Sequence, residues 1–479
     1  MADARLLPME ARIGPEAGKD AAEGRDDLLA NPILASGVDA PAHMADTRPT
    51  WMDCDVAADM GGGAPARDLI EETSMAQPLA FLRLTKRDSA APRRAPAQPA
   101  EGAMPLPRIA FLFNAQSHHI LHGATTAQAL AQGWRAQVDI LSPSSAHLDF
   151  ARALADGEEL HFRQVGVPML NRLATRQASA VPPKLLTLLA ASRQLDRYDA
   201  IALPERTSTI IRALGVRRPR LIHIDHGAGD RAAGFDPRIA RFDFALLAGR
   251  KQERRMLDAG LIRPGAYRII GYPKFDAADR LRDAAWYPFA ERRPTILYNP
   301  HFSEKLGSWD RDGPAIVGRI AATGRHNLIV APHIRLCDRP STRAAVERQL
   351  APYAGLPQVH VDLGSRRLVD MSYTGMADIY VGDVSSQIYE FLRRSRPALF
   401  VNSHGVEWRN DPNYAHWHLG PVARSVDELM QRLERVDSDH AAYADAQRQA
   451  FADTFDLGAG DSSGRAAAAI ADFLKLAPR

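Results

Sequence analysis

The sequence predicts an α/β protein of two parallel-sheet halves in tandem, facing a cleft and preceded by a disordered N-terminal segment. Three observations point there. From Met104 onward, short β-branched or apolar runs alternate with amphipathic stretches, the rhythm of βαβ units whose sheet is covered on both faces. These runs fall into two successive series. The first hundred residues, by contrast, show no sustained period of 2 or 3.6 and are crowded with Ala, Gly, Pro and Asp, including Gly61-Gly62-Gly63 and the Pro-rich stretch Ala90 to Pro107.

The 479 residues suit two domains of ordinary size plus an appendage. Residues 1–105 read as that appendage, either disordered or preceding the true start, since Met104 directly precedes the first convincing strand. Residues 106–250 form the first half. Its strands are expected at Ile109 to Asn114, Gln137 to Leu141, Ala200 to Pro204, Leu221 to Asp225 and Phe242 to Ala248. Helical patterns lie at Thr125 to Trp134, Ala146 to Ala155, Pro183 to Leu195 and Ser208 to Leu214. Residues 251–479 form the second half, with strands at Tyr267 to Gly271, Thr295 to Asn299, Asn327 to Ala331, Val359 to Asp362, Ile379 to Gly382 and Ala398 to Asn402. Its helices are expected at Lys251 to Ala259, Ala315 to Ala322, Thr342 to Leu350, Ser386 to Arg394, Val426 to Val436 and Arg465 to Leu476.

Composition narrows the class. Two cysteines, Cys54 and Cys337, are too few for a disulfide framework or a cysteine-rich zinc site, and a reducing cytoplasm is the simplest compartment. No apolar run is long enough for a transmembrane helix, and the N-terminus, with Asp3, Arg5 and Glu10, lacks the pattern of a secretory signal. The net charge of +3 conceals a division: Met1 to Ala103 carry 11 basic and 17 acidic residues, the remainder 49 basic and 40 acidic. A moderately basic body fits an anionic substrate or an anionic membrane face, and is also ordinary for an Arg-rich chain. No nucleic-acid partner, metal or cofactor is expected.

In open α/β sheets, ligands sit beyond the carboxyl ends of strands, so chemistry is sought there. The strand Leu221 to Asp225 ends in His226-Gly227-Ala228-Gly229-Asp230. A strand-end histidine followed by glycines is placed to act as a general base, although a turn histidine with a structural hydrogen bond explains the same residues. The strand Ile379 to Gly382 runs into Asp383-Val384-Ser385-Ser386-Gln387, where Ser385 or Ser386 is a natural helix N-cap. Backbone N–H groups at such a helix start suit a pyrophosphate, and Glu390, one turn in, suits ribose hydroxyls; a capped helix with a solvated Glu is the plainer reading. Further strand ends supply Gly271-Tyr272-Pro273-Lys274-Phe275-Asp276, Asn299-Pro300-His301-Phe302 and Ala331-Pro332-His333-Ile334-Arg335. His333, if protonated, and Arg335 are cations suited to a diphosphate leaving group. Asn114, His118 and His119 follow the first strand and are candidates for the acceptor side.

Taken in order, these elements resemble the CDP-glycerol glycerophosphotransferase family, the teichoic-acid primase and polymerase type. The resemblance rests on His226-Gly227, Gly271 to Asp276, Ile296-Leu297-Tyr298-Asn299-Pro300, His333, Asp383-Val384-Ser385-Ser386 with Glu390, and Asp461 to Arg465. It implies two Rossmann-like domains facing a cleft, the GT-B arrangement. It also implies that His226 deprotonates an acceptor hydroxyl while His333 and Arg335 face the diphosphate of a CDP-glycerol or similar nucleotide-diphosphate donor. Ser385 and Ser386 would bind its phosphates and Glu390 its ribose, with Lys274, Asn299, Asp383 and Gln387 completing the donor side and Gly227 on the acceptor side. The expected acceptor is a saccharide or lipid-linked hydroxyl, and the expected location is cytoplasmic, with a peripheral place on the inner membrane face left open.

Departures from the family pattern are Lys274 for Arg, Val384 for Tyr, Glu390 for Asp and Ser462 for Gly. The His-Gly element also continues as Ala228-Gly229-Asp230-Arg231 where the family has Thr-Pro-Leu-Lys, which bears on acceptor identity. Basic runs at Arg217 to Arg220 and Arg250 to Arg255 could meet anionic lipid, or could be charged turns and a solvated helix face. Two other functions remain open: a GT-B nucleotide-sugar glycosyltransferase or UDP-N-acetylglucosamine 2-epimerase-like enzyme, and a non-catalytic nucleotide- or glycan-binding module.

Overall fold

Apolar runs buried on both faces become the central strands of two parallel sheets, as the alternation requires. The computed structural model describes residues 105–168, 171 and 182–479, which belong to one compact unit. The readings for residues 1–104, with Met104 as an alternative start, lie outside the described residues.

The first sheet has seven strands: β1 (Arg108–Leu112), β2 (Gln137–Ser142), β3 (Leu160–Gln164), β4 (Ala200–Leu203), β5 (Arg220–Ile224), β6 (Phe244–Leu247) and β7 (Tyr267–Ile269). They lie side by side as β3-β2-β1-β4-β5-β6-β7, every pair parallel. The second sheet has six: β8 (Thr295–Asn299), β9 (Asn327–Val330), β10 (Val359–Val361), β11 (Ile379–Gly382), β12 (Ala398–Val401) and β13 (Val422–Ala423). Their order is β10-β9-β8-β11-β12-β13, again parallel throughout. Both orders reverse direction once, between β1 and β4 and between β8 and β11. Those reversals open the crevices in which doubly wound sheets hold their ligands.

Every strand range read from the sequence contains a strand, but three features differ. Tyr267 to Gly271, counted with the second series, pairs as β7 with β6, so the first sheet extends beyond residue 250. The edge strand β3, Leu-His-Phe-Arg-Gln, buries only its first residue and carries no apolar run. The range Ser386 to Arg394 is helical only over Gln387–Phe391. Arg396 ends that helix by donating to the Phe391 carbonyl, while the rest of its guanidinium donates to the Ala377, Thr374 and Arg394 carbonyls. Burial pulls the Arg396 guanidinium down to about 9.

The chain finally returns to the first sheet. Helix Ser462–Leu474 packs on helix Ala124–Gly133, and Phe473 stacks on Phe244 with ring centroids 4.5 Å apart. Its start is pinned by Asp276, whose carboxylate accepts from Ser463 N (2.7 Å) and Ser463 Oγ (2.6 Å). Asp461 caps it through Gly464 N, and Arg465 donates to the Asp456 carbonyl. The Gly271 to Asp276 and Asp461 to Arg465 elements therefore meet, and they act here as a structural staple.

Gly271 must be glycine for two reasons. Its φ is +83°, and a Cβ there would press on Arg465 and Ser462 and lie 2.7 Å from the Asp456 carbonyl. Gly265 shares the backbone conformation (φ +82°) but faces open space. Gly265→Ala is therefore expected to lose only backbone strain, about 1 kcal/mol, and Gly271→Ala roughly 2–4 kcal/mol, because overpacking adds to strain. Denaturant titration of the two variants checks the difference; equal losses would mean that the staple tolerates a methyl group.

Candidate functional site

Loops from both sheets converge on a cleft of about 330 Å³ lined by Gln116, His118, His226, Arg231, His333 and Ser385, among others. A larger hollow of about 1360 Å³ lies at the amino end of the second sheet, beside Pro294, Thr295, Asp378 and Ile379. It collects arginines and shares Glu390 with the smaller cleft but holds none of the strand-end histidines or serines, so the smaller cleft is the candidate site.

On the first half, the 3-10 helix Ser117–His122 follows β1 and presents His118 and His122, while the β5 loop presents His226, Gly227, Gly229, Asp230 and Arg231. His119 packs behind, its ring centroid 4.3 Å from that of His226. Burial drives His118, His119 and His122 well below the ordinary histidine range, and the charges around them act the same way. Burial also lowers His226, against the opposing pull of Asp225 and Glu205. His226 is therefore a neutral imidazole at pH 7, the form a general base needs. Among the described residues, its Nδ1 and those of His119 and His122 are buried without a hydrogen-bond partner.

On the second half, His301 and Phe302 follow β8, His333 and Arg335 follow β9, and Val384 to Gln387 follow β11. The Arg335 guanidinium lies over the Phe302 ring at 4.2 Å. Burial, with Arg335 and Arg231 nearby, pushes His333 down to about 4. His333 is thus neutral at pH 7 and is not the cation that the sequence suggested; its Nδ1 accepts from Arg335 N at 3.2 Å. Ser385 Oγ accepts from Gln387 N at 3.3 Å, whereas the Ser386 side chain caps nothing and is exposed. With only five helical residues after Ser386, the helix offers hydroxyls more than a macrodipole.

Lys274 and Glu390 reach the cleft as a buried pair. Lys274 Nζ donates to Glu390 Oε1 at 2.6 Å and the Tyr272 hydroxyl donates to the same oxygen at 3.1 Å. The proposed ribose carboxylate is thus already charge-compensated.

Four residues assigned to the site from sequence do not line the cleft. Asn114 accepts from Ser208 Oγ. Asn299 donates to the Ala331 carbonyl and accepts from the Tyr380 hydroxyl, tying neighbouring strand ends. His119 backs His226. Asp383, 1% exposed, accepts from His301 N (2.9 Å), Ser308 N (2.7 Å) and Val384 N (2.6 Å), so its carboxylate holds the β8 loop in place. Side chains at the ends of buried strands meet the backbone groups that the ladder leaves over, and that requirement claims Asn299 and Asp383.

Sequence reasoning did not single out Arg231, Tyr272, His301, Tyr389 or His416, all on the cleft wall. Asp230 joins several of them. Its carboxylate accepts from Lys251 Nζ (2.9 Å), the Tyr389 hydroxyl (2.8 Å), and His416 N (3.0 Å) and Nδ1 (2.9 Å). These partners hold it well below the usual carboxylate range against the opposing effect of burial. The basic runs are likewise engaged: Arg218 pairs with Asp199, Arg220 with Asp243 and Arg254 with Asp453. Among the described residues, no helix is long and apolar enough to cross a membrane.

Two parallel sheets with strand-end loops meeting at a cleft define a two-domain α/β protein of the GT-B type. Solved structures agree on the fold. An S. aureus MnaA–UDP co-structure superposes with a TM-score of 0.53 at 14% identity, covering 77% of this chain and 96% of that one. A putative UDP-N-acetylglucosamine 2-epimerase from Listeria monocytogenes gives 0.52 at 11% identity, with 77% and 96% covered. UDP-GlcNAc 2-epimerase from Neisseria meningitidis, bound to UDP-GlcNAc, gives 0.51 at 12%, with 77% and 99% covered. No curated protein sequence matches the chain. Residues 357–472, however, match the family model described as CDP-glycerol:poly(glycerophosphate) glycerophosphotransferase. That match falls in the second half of the chain and bears out the resemblance over the part carried there by Asp383 to Ser386, Glu390 and Asp461 to Arg465.

Buried neutral histidines make stability pH-dependent. Burial brings His147 and His223 down to about 4, as it does His333. The unfolded chain binds protons near 6.5, so stability is complete above that pH and is lost as pH falls towards 4. His223, fully buried, contributes on the order of 2–3 kcal/mol to that loss. Thermal melts from pH 7 to pH 4 are expected to show a falling Tm, with a smaller fall in His223→Leu; identical profiles would show that His223 protonates as readily in the fold.

Proposed function

We propose that the enzyme transfers glycerol phosphate, or a related alditol phosphate, from a CDP-activated donor to a hydroxyl of a saccharide or lipid-linked acceptor in cell-envelope polymer synthesis. One observation carries this reading. The segment matched by the glycerophosphotransferase family supplies Ser385, Ser386 and Glu390 to a cleft whose facing wall carries the part-buried, neutral His226.

The half built on the first sheet would then hold the acceptor and the half built on the second sheet the donor. The acceptor oxygen attacks the phosphorus bearing the glycerol, the bond from that phosphorus to the bridging oxygen breaks, and CMP leaves with the electron pair. His226 takes the proton of the acceptor hydroxyl, whose own pKa lies far above neutrality. Arg335 and the serine hydroxyls stabilise the charge gathering on CMP, with neutral His333 able to donate one hydrogen bond. Lys274 acts less as a phosphate cation than as the counter-ion that lets Glu390 stay charged beside a ribose. His118 and Gly227 line the acceptor side, where the unpartnered imidazole nitrogens suit a polyhydroxyl ligand.

A peripheral position on the inner face of the cell membrane belongs to the same proposal. It is supported by Leu185, Leu186 and Leu189, each about half exposed on helix Lys184–Leu195 of the first half. Such a row suits contact with a bilayer that presents a lipid-linked acceptor.

The test is CMP release from CDP-glycerol in the presence of cell-envelope extract. Wild type is expected to release CMP, and His226→Ala to do so about 10²–10⁴-fold more slowly. Turnover at the wild-type rate in His226→Ala would remove it as the base, and UDP release from UDP-sugars without CMP release would overturn the donor.

A further inference from the structure

We infer that Arg231 and His301, one from each half, form a binding site for a phosphate oxygen of the donor diphosphate. This rests on the proposed transferase reading for the identity of the donor, but the site itself follows from hydrogen-bond chemistry.

Arg231 is a half-buried cation on the cleft wall that forms no ion pair among the described residues; the Asp383 carboxylate acts on it only from a distance, and burial still lowers its pKa. The neighbouring lysines differ: Lys251 has Asp230 and Lys274 has Glu390. Taking a guanidinium out of water without a counter-ion is unfavourable, and structures tolerate it mainly where an anion is to be bound. The loop cannot easily carry Arg231 away, because Ala232 N donates to Asn413 Oδ1 of the other half at 2.7 Å.

The guanidinium instead meets an imidazole. Arg231 Nη1 lies 2.8 Å from His301 Nε2, while Ser303 N–H points at His301 Nδ1 from 3.1 Å. Both neighbours are obligatory donors, yet a neutral imidazole has only one accepting nitrogen and a protonated one has none. Whichever tautomer His301 adopts, an N–H faces an N–H. Burial together with the positive charges of Arg231 and Arg335 excludes the protonated ring at neutral pH. If Nδ1 accepts from Ser303, then Nε2–H and the guanidinium both need an acceptor in the cleft. A phosphate oxygen between them satisfies both, with charge-assisted hydrogen bonds. The imidazole is pre-placed for this, since Asp383 fixes its backbone N–H at the β8/β11 reversal. Ser385, Ser386 and Arg335 line the same cleft, as a diphosphate requires. Arg231 falls in the departure from the family's Thr-Pro-Leu-Lys, which the sequence had linked to the acceptor; the geometry assigns it to the donor instead.

Calorimetry on the full chain with inorganic pyrophosphate, CDP, UDP and cytidine tests this. Arg231→Gln is expected to weaken pyrophosphate and CDP at least tenfold and leave cytidine unchanged, with Arg231→Lys intermediate. Without ligand, the Tm of Arg231→Gln should equal or exceed that of wild type, because an uncompensated cation is removed. Wild-type CDP affinity in Arg231→Gln would overturn the site while leaving the transferase reading intact. A fall in Tm with parallel loss of cytidine binding would also overturn it, marking Arg231 as structural. If wild type binds pyrophosphate and UDP but not CDP, and Arg231→Gln loses both, the site stands and the CDP-donor reading fails. Absence of pyrophosphate and nucleotide binding in wild type overturns the site.

Discussion

The Asp230 carboxylate is a shared acceptor for groups from both halves, and the geometry of the cleft follows from it. Lys251 approaches from the first half, the Tyr389 hydroxyl and the His416 N–H groups from the second, and the Lys251 ammonium also sits 3.5 Å from the centre of the Tyr389 ring. A buried carboxylate this fully partnered remains ionised, and deleting it would leave Lys251 as an uncompensated buried charge, a loss on the order of 3–5 kcal/mol. The junction is tight: a Cβ on Gly229 would lie 2.9 Å from Ser386 Cβ. His226, four residues before Asp230, is thereby held opposite Ser385 and Ser386. His226 and the two serine hydroxyls come from different sheets, and this clamp brings them to one cleft.

A second carboxylate does for one wall what Asp230 does between walls. Asp383 gathers the backbone of His301, Ser308 and Val384, and its own carbonyl accepts from Trp417 Nε1 at 2.7 Å and lies 3.0 Å from His416 Nε2. Burial raises its pKa while these bonds lower it. Residues named as ligands for being polar at a strand end thus divide by direction. Those pointing along the sheet satisfy the backbone, and those pointing out of the crevice remain for substrate.

The strands were legible because parallel strands covered on both faces read as uninterrupted apolar runs, as in Ile296-Leu297-Tyr298 and Ile379-Tyr380-Val381. Leu160–Gln164 was not, since an edge strand exposing His161, Arg163 and Gln164 looks like a loop. Helix Ala444–Thr454 buries only Gln447 and Thr454, so it has no apolar stripe to read. In the site, His226, Lys274, His333, Arg335, Ser385, Ser386, Gln387 and Glu390 were found by the strand-end rule and do line one cleft. Asp230, Tyr389 and His416 were not singled out because their contacts join residues 159 and 186 positions apart, and no local pattern encodes such a meeting. The neutrality of His333 was equally hidden, since it arises from burial beside arginines that the fold assembles.

The loop and helix that carry Ser385, Ser386 and Glu390 lie in the segment matched by the glycerophosphotransferase family, whereas the fold alone is shared with UDP-sugar epimerases. Nucleotide preference therefore separates the central claim from its nearest rival. Isothermal calorimetry on the intact chain is expected to show CDP binding at least tenfold more tightly than UDP, roughly 1.4 kcal/mol. Equal affinities, or a preference for UDP, would contradict a CDP-activated donor.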